Sequence, residues 1–175
     1  MMLELDAMPR IPGFVTPAQL YCVALDPAPL FGMPYPMRRP PADWQALFDA
    51  GIRGVLCLAG ERAHYDPAPV ELIGAVELDD LVEGAPPPDP EAELALIRRQ
   101  VDLVLERLAR REGVVVHCAA GRGRTSTVLG CALVRLGEDP MRVMDYFDRL
   151  HKARGRSGWP EKKWQAAVLR GAPAW

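Results

Sequence analysis

Residues 114–130 read VVVHCAAGRGRTSTVLG. Three valines run into a histidine and a cysteine, and a short loop of glycines and arginines follows. A helix-compatible apolar segment closes the stretch. A strand that turns into a helix through such a loop sets a thiol and two guanidinium groups at a helix mouth, where unpaired amides and the helix dipole collect. Strand and helix patterns alternate along the chain, which argues for one α/β domain.

At 175 residues the chain suffices for one domain with a substantial core. A 49% hydrophobic and 25% charged composition is that of a globular protein. The net charge of −2 gives no reason to expect general binding to nucleic acid or to anionic membranes. Affinity for anions must therefore come from a local cluster of charge. Cys22, Cys57, Cys118 and Cys131 show no CxxC pair and no metal-finger spacing, so free thiols in a reducing compartment are expected. The opening MMLELDAMPR carries acidic residues and no apolar core, unlike a signal peptide. No apolar run approaches membrane-spanning length, and a cytoplasmic location is expected.

From Met8 to Pro41 the chain is proline-rich, with LYCVAL as a candidate edge strand and LFGMPYPMRRPP as a loop. PADWQALFDAGI predicts a helix with Trp44, Leu47 and Phe48 on one face and Gly51 as its stop. RGVLCLA predicts a buried strand. A polar, proline-containing loop follows, then a short strand AVEL that enters the acidic DDLVEGAPPP. The clearest helix begins at Asp89 as N-cap with Pro90 in the first turn. Leu94, Ile97, Val101, Val104, Leu105 and Leu108 form its apolar stripe, and ARREG ends it. After VVVH and the loop, a helix is expected from near Thr125 to about Leu136. Two more follow, one capped by Asp139-Pro140 and one starting near Pro160.

Attack on a phosphate ester by a thiol needs a thiolate, and a helix N-terminus with an adjacent arginine can lower a cysteine pKa to about 3.5–7.5. Cys118 stands at such a helix mouth, with Arg122 and Arg124 nearby. Successive loop amides form an anion-binding nest, for which Gly121 and Gly123 supply backbone freedom. Arg124 can clasp two phosphate oxygens with its fork. Taken singly, each residue is compatible with a buried thiol and a solvated loop. Strand, His-Cys, five intervening residues, Arg-Thr and helix in that order are not.

HCAAGRGRT resembles the HCxxGxxRT signature of cysteine-dependent protein tyrosine and dual-specificity phosphatases. The resemblance covers roughly Leu30 to Leu169, and GERAHYD is similar to the lipid phosphatase known as phosphatase and tensin homologue. It implies a single α/β domain with a central mixed sheet of about four to five strands flanked by helices. Within it, a proline-containing segment 1–29 precedes a catalytic core 30–170. It also implies a two-step mechanism. Cys118 attacks phosphorus, Arg124 binds the phosphoryl oxygens, and Thr125 stabilises the departing thiolate. Ala119, Ala120, Gly121, Arg122 and Gly123 line the substrate, and His117 orients the loop rather than acting as a base. No cofactor and no metal is required. Ser126 departs from the glycine usual after Arg-Thr, and its hydroxyl suits a first-turn amide. Gln165 resembles the family's glutamine near the last helix, with a structural role.

The leaving oxygen needs a proton from an acid on a separate loop. In VELDDLVEGAPPP, with Val76 and Leu78 as the strand's inward face, the family pattern puts that acid at Asp80, with Asp79 as the alternative. Cys57 reads either as a buried thiol or as a partner for an oxidised nucleophile, a role that some related phosphatases give to a second cysteine. Arg38, Arg39, Arg110 and Arg111 read as solvated, and His64 and His151 have no partner legible in the sequence. The expected activity is that of a dual-specificity-like protein phosphatase with a shallow site, acting on a phosphorylated protein or a small phosphoester. A phosphoinositide or small-molecule phosphoester phosphatase of the same superfamily is the alternative, since Arg122 supplies half of the basic signature of lipid-selective loops while Ala119 does not. A phosphate-binding pseudophosphatase and a sulfurtransferase are lesser alternatives. No nucleic-acid partner and no membrane insertion are expected, and no oligomeric state is legible.

Overall fold

The computed structural model describes residues 2–37, 41–81 and 84–175. Arg38 and Arg39 lie outside the described residues. The centre is a five-stranded mixed sheet made of β1 (Tyr21–Ala24), β2 (Leu30–Met33), β3 (Ile52–Cys57), β4 (Glu71–Ala75) and β5 (Gly113–His117). Their order across the sheet is β1-β2-β5-β3-β4. β1 and β2 run antiparallel, and the remaining neighbours are parallel. The valine run is therefore the central strand, covered on both sides, which is why it reads as continuously apolar rather than alternating. Val114 and Val116 pack into the larger core and Val115 into the smaller one. Each such buried valine contributes roughly 1.5–3 kcal/mol of burial.

The helices are α1 (Trp44–Asp49), α2 (Pro90–Ala109), α3 (Gly123–Arg135), α4 (Pro140–Ala153) and α5 (Lys163–Gly171). α1 covers one face, where Leu47 packs with Ile52 and Val55 of β3. The other four helices form the layer on the opposite face. Their ends follow the sequence signals. Asp89 accepts a hydrogen bond from the Ala92 amide, with Pro90 as the first helical residue. Asp139 accepts from Met141 and Arg142. α3 begins at Gly123, two residues before the position expected from the loop.

Two strands depart from expectation. LFGMPYP is not all loop, because Leu30–Met33 forms β2 and inserts between β1 and β5. Gly32 there lies under the Tyr21 ring, so the glycine that looked like a loop signal is instead a close strand-to-side-chain approach. The outer strand is Glu71–Ala75 rather than AVEL. Past Ala75 the chain keeps a single antiparallel bridge between Ala59 and Glu77 as it leaves the sheet. The alternation of AVEL is real, since Leu78 is buried, but it marks the exit segment and not the strand.

Candidate active site

The loop after β5 turns its carbonyls outward. The Ala119 carbonyl accepts from the Tyr35 amide, and the Gly121 carbonyl accepts from the Tyr21 hydroxyl and Arg154. The Gly123 carbonyl accepts from Thr127 Oγ1 and Trp159 Nε1. The amides of residues 119–125 donate to no group among the described residues. A ring of unpaired amides at the start of a helix is an anion nest. Only Gly121 needs glycine's conformational freedom, at φ +63°, and its Cα lies against the Met33–Pro34 backbone, where a side chain has no room. Gly123 was expected to share that need and does not. It is the first residue of α3, and a Cβ there would meet the Glu161 carboxylate.

Cys118 is buried at the base of this ring. Arg124 is the second residue of α3, with Nη1 reaching the carbonyls of Leu58 and Leu78 at 3.4 Å each. Its Nη2 lies 3.1 Å from Asp80 Oδ1, and its Nε is buried without a partner. Thr125 Oγ1 is likewise buried and unpaired. A donor on Arg124 and a hydroxyl on Thr125 thus remain for an incoming group. Arg122 is committed elsewhere. It donates to the Ser157 carbonyl and hydroxyl and pairs with Glu161.

His117 is buried, and its Nδ1 lies 3.3 Å from the Cys118 carbonyl. A carbonyl only accepts, so Nδ1 carries the proton and Nε2 accepts from Tyr65 Oη at 2.5 Å. Trp44 stacks on Tyr65, and Tyr35 meets both Tyr65 and His117 edge-on. Tyr65 belongs to GERAHYD, so that stretch reaches the site through an aromatic contact. Burial pushes the His117 pKa down to about 4, with Arg124 adding to the fall. His151, which had no legible partner, lies under the loop against Ser126, and burial with Arg154 beside it pushes its pKa down to about 3. The Ser126 hydroxyl serves this histidine and not a first-turn amide.

Two buried neutral histidines make a pH prediction. In the unfolded chain each titrates near 6.5, so between that pH and about 4 the unfolded state binds more protons. Stability is full above 6.5 and falls as pH drops through the window, at about 1.4 kcal/mol per pH unit per histidine. Denaturant midpoints measured from pH 7 to 4.5 should fall accordingly, and His151→Gln should remove about half of that slope. A flat midpoint over this range would contradict the neutral assignment.

The two aspartates play different parts. Asp79 Oδ1 accepts from the Leu81 amide, closing a local turn in which Leu81 takes φ +52°. Asp80 is exposed and reaches Arg124. Both line an open cleft of about 410 Å³ with Glu77, Leu78, Glu93 and Arg124. Glu93 escaped the sequence reading. It lies in the first turn of α2, buried, accepting from the Asp79 amide at 2.8 Å, and burial raises its pKa. Its register beside Ile97 and Gln100 on the buried face was the available signal. Gln165 is buried, and its Oε1 accepts from the Glu161 and Lys162 amides, capping α5. Burial raises the Cys57 pKa, which is that of a core thiol. His64, Arg110 and Arg111 are exposed. No cluster of three or more candidate metal ligands occurs among the described residues.

A thiol under a ring of free amides, with an arginine at its side and a helix behind, is the site of the cysteine-dependent protein tyrosine and dual-specificity phosphatase class. Residues 20–163 match the family described as PTP-SAK, "Swiss Army Knife protein, DSP-PTPase phosphatase domain", and the chain belongs to that family. The chain is similar to the Dictyostelium discoideum protein named "Probable protein tyrosine phosphatase type IVA A", at 27% identity over 86 residues. That match spans 47% of this chain and about half, 48%, of the relative. Human DUSP28 has a similar structure, with TM-score 0.61, 20% identity, and coverage of 91% of this chain and 95% of that one. PTPMT1, solved in complex with PI(5)P, aligns with TM-score 0.55 and 19% identity over 83% of this chain and 90% of that one.

Proposed function

We propose that this chain is a dual-specificity-like phosphatase that hydrolyses phosphomonoesters through a phosphocysteine at Cys118. The observation that carries the reading is the set of free amides over residues 119–125, directly after the buried Cys118 thiol, with Arg124 Nε buried and unpaired on the same loop. In the first step the Cys118 sulfur forms a bond to phosphorus as the bond to the leaving oxygen breaks, and Asp80 gives its proton to that oxygen. Arg124 and the loop amides bind the three non-bridging oxygens. In the second step water attacks phosphorus, its proton passes to the Asp80 carboxylate, and the sulfur leaves as thiolate toward the Thr125 hydroxyl. His117, neutral and fixed by Tyr65, holds the Cys118 carbonyl. The chemistry draws on no cofactor.

The incoming phosphoryl group competes with Asp80 for Arg124, so binding releases the carboxyl on the leaving-group side of the cleft. Phosphorylated protein side chains suit the site better than a polyanionic lipid headgroup, because Glu161 already neutralises Arg122 and Ala119 offers no charge. We place the catalytic unit in a reducing, cytoplasmic setting, which suits the four free cysteines. No helix of the described structure is long and apolar enough to cross a membrane.

The test is acid quench of the enzyme during turnover of an aryl phosphate, followed by mass analysis of the peptide carrying residue 118. One phosphoryl group is expected on Cys118 and none on the Cys118→Ser variant. Turnover that persists in Cys118→Ser would overturn the reading. A side-by-side panel of phosphopeptides and phosphoinositides then separates the substrate classes, with faster turnover of phosphopeptides expected.

A further inference from the structure

The underside of the loop holds a second arginine. Arg154 caps α4, is buried, and pairs with no carboxylate among the described residues. Its Nη1 donates to the Gly121 carbonyl at 2.7 Å and to His151 Nδ1 at 2.9 Å. Its Nη2 reaches the carbonyls of Ala18 at 3.3 Å and Ala120 at 3.5 Å. The guanidinium also lies 4.6 Å from the centre of the Tyr21 ring.

The proton positions follow from these contacts. A guanidinium only donates, so His151 Nδ1 accepts and Nε2 carries the proton, which it donates to Ser126 Oγ at 2.7 Å. The Ser126 hydroxyl also lies near enough to Tyr21 to act on its electrostatics. Tyr21 Oη donates to the Gly121 carbonyl at 2.9 Å. Arg154, braced by His151 and Ser126, and Tyr21 thus converge on one carbonyl oxygen, which holds both because it only accepts.

We propose that Arg154, His151, Ser126 and Tyr21 are positioning residues that aim the loop amides at the phosphoryl group. A peptide unit is planar and trans, so its carbonyl and amide point in opposite directions. Holding the Gly121 carbonyl outward fixes the Arg122 amide inward, and holding the Ala120 carbonyl does the same for the Gly121 amide. Arg154 also brings a positive charge, unneutralised by any carboxylate among the described residues, beneath an anion site. Ser126 is then a link that glycine cannot supply, which accounts for the departure at this position. The inference rests on the phosphatase reading and deepens it.

The test is tungstate binding by calorimetry in the Cys118→Ser background, together with aryl phosphate kinetics in the Cys118 enzyme. Arg154→Met should weaken tungstate about tenfold or more and lower kcat more than it raises KM. Tyr21→Phe and Ser126→Ala should each weaken it about three- to tenfold, the worth of one hydrogen bond. Because both act on the Gly121 carbonyl, Tyr21 directly and Ser126 through His151 and Arg154, the double variant should lose less than the product of the single losses. If Arg154→Met does not fold, Tyr21→Phe and Ser126→Ala carry the test, since each removes one hydroxyl. Folded variants that bind tungstate as tightly as their parent, or losses that multiply independently, would overturn the network alone. A Cys118→Ser parent that binds no tungstate would overturn the phosphatase reading, and the network with it.

Discussion

Arg124→Lys should turn over aryl phosphates on the order of 10²–10³-fold more slowly, although it keeps its charge. The reason is the division of labour within one guanidinium. Nη1 is anchored on the Leu58 and Leu78 carbonyls, while Nη2 and Nε are left for anions. An ammonium has no fixed fork, so it cannot hold those carbonyls and also present two aligned donors to the transition state. Steady-state kcat for the two proteins checks this. Arg122→Ala should cost far less with the same substrate, because its guanidinium is held by Ser157 and Glu161. Near-normal activity in Arg124→Lys with collapse in Arg122→Ala would exchange the two roles.

Asp80→Ala should separate substrates by their leaving groups. General-acid help is worth about 10²–10⁴-fold and matters most where the departing oxygen is strongly basic. An alkyl or unactivated aryl phosphate should therefore slow far more than nitrophenyl phosphate. The basic limb of the pH–rate profile should flatten, since that limb reports loss of the acid's proton. Asp79→Ala should leave both features in place and act instead on the loop, because its carboxylate closes the turn at Leu81. The one buried carboxyl in the cleft supplies the control. If Asp80→Ala slows all substrates alike and Glu93→Gln instead slows those with poor leaving groups selectively, the proton comes from the buried Glu93.

Most of the fold was legible wherever local chemistry decides it. Asp89-Pro90 and Asp139-Pro140 are helix starts in any context, because the aspartate satisfies orphan amides and proline gives up a donor it does not need there. The HCAAGRGRT loop was legible for the same reason, since its residue types serve one compact geometry. β2 was not. Its brevity and the glycine and prolines around it imitate a loop, and only pairing with β1 and β5, distant in sequence, makes it a strand. The AVEL segment carried true alternation beyond the strand's end: Val76 and Leu78 still donate to the Cys57 and Leu58 carbonyls, but the regular pairing stops at Ala75. His151 and Arg154 were opaque since their partners, Ser126 and Gly121, lie on other elements.

The edge position of β1 bears on how this protein can be cut down. Tyr21–Ala24 is the sheet's outer antiparallel strand, and Tyr21 carries its hydroxyl to the Gly121 carbonyl. A fragment begun at Leu30 would expose the backbone donors and acceptors of β2 that β1 now pairs. An uncovered, fully apolar strand edge is a template for self-association. Shortened catalytic fragments should therefore be begun before Leu3, whose amide pairs with the Val23 carbonyl on the outer edge of β1. Chains trimmed further should emerge as soluble aggregates in size-exclusion chromatography, whatever their catalytic residues retain.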